Sequence, residues 1–269
     1  MLQAKISKAH IAMAVTAFFA STLAVSAPLS AQSPKPAPHS DAAQEFVHGA
    51  PAKPSMAWEL AAGGRIYDKW WDALDKKKPA ATNPKYPASG KTTGANTWRC
   101  VECHGWDYRG ASGEFSKGDH YTGIVGIRGA IGDDTAKIMA TLRGPSHGYT
   151  SDMIPDSALR RVALFVSRGQ HDVNTVRDTR TGNPKGDVRR GQALFETTCA
   201  ACHGFDGRLL NWGTKDDPAY VGTEANKLPW EVLHKIRNSH PGAAMINYRA
   251  LLLSDAAAVL VYARTLPEK

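Results

Sequence analysis

Apolar positions recur along the chain at helical spacing and strand-like alternation is nearly absent, so the pattern predicts an all-α protein. Two short amphipathic helices are expected, from Asp134 to Arg143 and from Pro229 to Arg237. Each leads into a Ser-His loop that ends at a methionine: Ser146-His147 to Met153, then Ser239-His240 to Met245. A terminal helix follows each loop. The first runs from Asp156 to Arg168, with Leu159, Val162, Ala163, Phe165 and Val166 apolar and Gly169 as its stop. The second takes Ser254 as its N-cap, carries Val259, Leu260, Tyr262, Ala263 and Leu266 on one face, and stops at Pro267. An earlier helix also repeats. Gly63 and Tyr67 stand four apart, as do Gly191 and Phe195, which puts a glycine and an aromatic on one helical face. A Gly-rich loop occurs twice as well, at Gly105–Gly110 and Gly204–Gly207. The second half of the chain therefore restates the first.

The N-terminus follows a different pattern. Lys5 and Lys8 precede an apolar run from Ile11 to Leu23, and small-residue sites follow at Val25-Ser26-Ala27 and Leu29-Ser30-Ala31. That order is the one a secretory signal needs, and Pro28 disfavours the first site, so residues 1–31 are expected to be an export signal. Residues 32–57, rich in Pro, Ala and Ser and including His39 and His48, read as a leader. No later stretch suits a membrane span, which needs about 20 apolar residues. The net charge of +8 becomes +6 once Lys5 and Lys8 are removed (8 − 2). A basic balance suits acidic protein partners through steering, and nucleic acid is not expected without a clustered Lys/Arg stripe.

The four cysteines narrow the chemistry. All lie in two identical frames, Cys100-Val101-Glu102-Cys103-His104 and Cys199-Ala200-Ala201-Cys202-His203. Cys-x-x-Cys-His is the attachment signature of c-type haem. The two thiols add across the haem vinyl groups, and the adjacent histidine is held under the iron as its proximal ligand. Zinc-binding pairs sit about 15–20 residues apart, whereas these motifs begin 99 positions apart (199 − 100). Structural disulfides would not call for the histidine twice, and no βαβ pattern accompanies the motif as in thioredoxin-like redox proteins. Two haem c groups are expected, held at Cys100, Cys103, Cys199 and Cys202 with His104 and His203 on iron.

With Phe165 and Tyr262 opposite the paired glycines, the crossing of first and last helices around Cys-x-x-Cys-His resembles class I cytochrome c domains. The resemblance covers residues 58–170 and 187–269, with 171–186 as a linker, and implies two tandem domains that each enclose one covalent haem. It also implies that without haem each domain would lack most of its core and be largely unfolded. Residues 72–98, with the basic run Lys76, Lys77 and Lys78, depart from the minimal family pattern and leave three readings open, cover of a haem edge, domain contact or a surface loop with local aromatic packing, of which the surface loop is favoured.

The family presents its sixth iron ligand as a methionine shortly before the last helix. Met153 and Met245 hold that place, 49 and 42 residues after His104 and His203 (153 − 104; 245 − 203). His147 and His240 align with one another and are the alternatives. Met139, between Ile138 and Leu142, is expected in the core; His120 and His171 lie in loops, and His234 is expected to be exposed on its helix. The resemblance implies periplasmic electron transfer between redox proteins. The alternatives are an oxidoreductase acting on thiosulfate or peroxide and a cytochrome subunit of a larger oxidoreductase. Thiosulfate dehydrogenases commonly use a cysteine as ligand to the catalytic haem, and here every cysteine is committed to attachment.

Overall fold

The last helix of each half lies across the first at a glycine of the first helix that tolerates no side chain. In the computed structural model, which describes Gln44 and residues 47–269, helix α1 (Met56–Ala73) crosses helix α4 (Asp156–Leu164). A Cβ on Gly63 would come within 2.2 Å of the Arg161 carbonyl oxygen and 2.7 Å of Phe165 Cβ. In the second half, helix α5 (Val188–Leu194) crosses helix α9 (Leu253–Ala263). There a Cβ on Gly191 would meet the Ala258 carbonyl and Tyr262 Cβ. Only glycine allows helices this close approach. The aromatics one turn on pack as the sequence leads one to expect: Tyr67 against Phe165 at 5.4 Å and Phe195 against Tyr262 at 5.5 Å between ring centres.

Between the crossing helices lie helix α2 (Cys100–His104) and helix α3 (Thr135–Arg143) in the first half. The second half has helix α6 (Ala200–His203), helix α7 (Val221–Lys227) and helix α8 (Pro229–Asn238). Local chemistry sets several ends. Asp134 caps α3 by accepting from the Ala136 and Lys137 amides, Asp187 caps α5 by accepting from Arg190, and Pro229 occupies the first turn of α8. Ser254, expected as the N-cap of the last helix, instead lies within α9, whose cap is Leu252 with no side-chain hydrogen bond. Helices α4 and α5 each run on into a π turn, Phe165–Gly169 and Phe195–Cys199, a widening that re-aims the chain after the glycine crossing. Among the described residues β pairing is confined to two isolated bridges, Gly110 with Val125 and Arg177 with Pro184. The same residues include no helix long and apolar enough to cross a membrane. The expected export signal lies outside the described residues.

The described residues fall within one compact unit in which the two halves touch. Helix α8 packs against α1, and Gly64 lies under the Asn238 side chain. Arg65 donates to the Asn238 carbonyl at 3.3 Å, and Arg249 donates to the Gly169 carbonyl at 2.8 Å. Residues 171–186, read as a linker, are partly packed: His171, Val173 and Val176 are buried, and the Arg177 guanidinium lies 4.5 Å from the Trp230 ring centre. His234 corrects its expectation of exposure. It is fully buried, because α8 is covered on both faces and a one-face reading of its periodicity misses the side turned to α1.

Candidate functional site

Helix α2 borders a cavity of about 430 Å³, within the size range of small-molecule sites. Residues three and four apart share a helical face, and Cys100, Cys103 and His104 all lie on the cavity wall. The helix stops at Gly105, whose φ of 78° turns the chain sharply and whose carbonyl accepts from the buried Tyr67 hydroxyl at 2.7 Å. His104 Nδ1 lies 2.7 Å from the Val125 carbonyl, so Nδ1–H donates there and Nε2 is left free. Burial, the largest influence, lowers the His104 pKa to about 4, which keeps the ring in the neutral form that ligates metal. Burial also pushes the Cys100 thiol up to about 11 and the Cys103 thiol up to about 12. Both stay protonated at neutral pH, unlike the thiolates of a cysteine metal site.

The opposite wall is apolar, with Ile138 and Leu142 from α3, Val162 from α4 and Val166 from the π turn that follows it. The rest comes from the segment expected to be a surface loop. Asn83, Lys85, Tyr86 and Thr97 line the cavity, so residues 72–98 do more than lengthen the surface. The Asn83 amide donates to Thr97 Oγ1 at 2.8 Å and Trp98 Nε1 donates to the Ala81 carbonyl at 2.9 Å, folding the segment back on itself. Glu102, within the motif, accepts from Thr92 and lies 3.1 Å from His120 Nδ1, tying two loops to helix α2.

A second cavity, of about 360 Å³, repeats the arrangement in the second half. Cys199 and His203 lie on its wall with Phe195, Val221, Ile236 and Val259, while Cys202 is exposed on α6. His203 Nδ1 is buried without a hydrogen-bond partner, and the Trp212 ring centre is 5.8 Å from that of His203.

The expected sixth ligands fall differently in the two halves. Met245 and His240 both line the second cavity. In the first, His147 is on the wall, its ring centre 6.2 Å from that of His104 with the planes 29° apart. Met153 is not among the residues lining that cavity; it is half-buried and packs against the core, as does Met139. Asp68, Tyr108 and Lys235 were not singled out by sequence reasoning. A lone buried charge or hydroxyl has no periodic signature, and its role emerges only where the halves meet.

These residues fit a covalently held haem. Two thiols and a neutral imidazole share one wall against an apolar face. Among the described residues no group of three or more His, Cys, Asp or Glu side chains could hold a metal ion unaided.

Residues 186–263 match the family described as Cytochrome C oxidase, cbb3-type, subunit III. Among curated proteins, none matches the chain significantly. The match covers the second half, where helices α5 to α9 and the second cavity lie. It supports a class I c-type cytochrome, helical in fold, in which a covalently bound haem c carries electrons.

Proposed function

We propose that the chain is a dihaem c-type cytochrome that passes electrons between redox proteins in the periplasm. The observation that carries this reading is the duplication: each Cys-x-x-Cys-His frame stands at its own cavity, with its histidine and at least one of its cysteines on the wall. Cys100 and Cys103 would attach one haem and Cys199 and Cys202 the other, with His104 and His203 as proximal ligands. Each haem would supply a one-electron iron couple. The protein's own contribution is to fix the imidazoles, exclude water with apolar helix faces and set the local charge. His104 is oriented by the Val125 carbonyl, which also strengthens it as a donor. Met245 is assigned as the sixth ligand of the second haem, since it lines that cavity from the loop before the last helix. Periplasmic placement is supported by the signal-like N-terminus and by haem attachment of this class taking place outside the cytoplasm. The domain boundaries 58–170 and 187–269 follow the repeat.

Reductive titration of the matured full-length protein tests this reading. Uptake of two electrons per chain in fully reversible steps is expected. Uptake of one would remove the second redox centre and overturn it.

A further inference from the structure

We propose that His147 is the sixth ligand of the haem iron in the first half, so that this iron sits between two imidazoles. The assignment rests on the haem reading above and on geometry particular to this half. The ring centres of His104 and His147 are 6.2 Å apart, and both residues line the same cavity. Imidazoles on opposite sides of one metal, each bound at about 2 Å, place their ring centres about 6 Å apart.

The hydrogen bonds select the same atoms. His104 Nδ1 is taken by the Val125 carbonyl, and His147 Nδ1 lies 3.2 Å from the Thr141 carbonyl and 3.1 Å from Ser146 Oγ. Each ring therefore has its Nδ1 occupied by the chain and its Nε2 left over, the usual arrangement of a metal-bound histidine. The carbonyl that orients His147 belongs to α3, the helix that also supplies Ile138 and Leu142 to the cavity.

Met153 is held elsewhere. Arg143 donates to the carbonyls of Tyr149 and Ile154 at 2.9 and 2.8 Å and pairs with Asp156 at 2.6 Å. One guanidinium thus holds both ends of the Met153 segment, and the Met153 side chain packs against the core, off the cavity wall. The second half differs, because Met245 itself lines its cavity. The two irons therefore differ in ligation, and the first has the lower reduction potential, because methionine ligation raises it.

Near-infrared magnetic circular dichroism of the ferric, matured full chain tests the assignment. The expected result is a bis-imidazole signature from one haem that survives Met153→Ala and His240→Ala and is lost in His147→Ala. Carbon monoxide should then bind one haem per reduced chain in His147→Ala and none in Met153→Ala. Methionine-ligand bands from both haems of the unaltered protein would overturn the assignment without any variant having to fold. So would carbon monoxide binding gained by Met153→Ala. A chain with no haem at Cys100 and Cys103 would overturn the underlying cytochrome reading instead, and intact mass separates that case from the others.

Discussion

The Nδ1 atom of His234, from the second half of the chain, lies 2.8 Å from the hydroxyl of Tyr108 in the first. Both side chains are fully buried. His234 Nε2 is 2.9 Å from the Gly64 carbonyl and donates to it, so Nδ1 accepts from the Tyr108 hydroxyl. Tyr108 holds this position at a φ of 63°, a left-handed conformation that is unfavourable for a non-glycine residue and persists where the surroundings dictate it. Tyr108→Phe would leave a buried imidazole nitrogen without its donor, for a loss of about 1–3 kcal/mol. Urea unfolding of the holoprotein measures it, and an unchanged midpoint would show that this bond does not hold the halves together.

The same histidine gives a pH dependence. Burial lowers the His234 pKa to about 4, with nearby Asp68 pulling the other way, and burial lowers His171 as well. The unfolded chain, with histidines near 6.5, then binds more protons than the folded one as pH falls from about 6.5 toward 4. The stability that depends on a neutral His234 is present in full above about pH 6.5 and is lost through that window. His234→Gln should unfold with a shallower acid dependence than the unaltered protein. Parallel pH profiles for the two would rule His234 out as a contributor.

Asp68 links the walls of the two cavities. Its carboxylate pairs with Arg99 at 2.6 Å and Lys235 at 3.2 Å; Arg99 lines the first cavity and Lys235 the second. Both cations also approach the Trp106 ring, at 5.5 and 5.0 Å from its centre. Burial alone would raise the Asp68 pKa, yet Lys235 and Arg99 hold it well below the usual carboxylate range. Asp68→Asn would leave the largely buried Arg99 without its ion pair and Lys235 with Glu231 alone, at a cost of about 3–5 kcal/mol. It would also raise the reduction potential of the haem proposed for each half, since a lost negative charge favours the reduced iron. Calorimetry and redox titration read the two effects, and a potential that moves at one haem alone would contradict the shared position of Asp68.

The helix crossings predict intolerance at two glycines. A methyl group at Gly63 would overlap the Arg161 carbonyl, and one at Gly191 the Ala258 carbonyl, both backbone atoms that cannot rotate away. Gly63→Ala and Gly191→Ala should each destabilise the holoprotein by at least about 1–3 kcal/mol through overpacking. Gly129, beside which a Cβ would meet open space, serves as the control. Equal stability of all three variants would refute the close crossing.

Much of this architecture was legible because it follows from short-range pattern. The Gly63/Tyr67 and Gly191/Phe195 pairs announced the crossings, and Asp134 announced the start of α3. What escaped were features decided by tertiary contact. His234 lies on a helix whose polar-looking face is buried by α1, so its periodicity misled. Residues 72–98 lack helical period, and their placement on the cavity wall depends on hydrogen bonds such as that from Asn83 to Thr97. The proposed choice of His147 over Met153 rests on the 6.2 Å ring separation from His104 and on which side chain lines the cavity, neither of which spacing encodes.

The central claim is that each half carries its own covalent haem, and intact mass spectrometry of the matured chain tests it most directly. The account predicts the mass of the polypeptide plus two haems. Paired Cys100→Ala and Cys103→Ala changes should remove one, and paired Cys199→Ala and Cys202→Ala changes the other. A matured, unaltered chain carrying a single haem would contradict it.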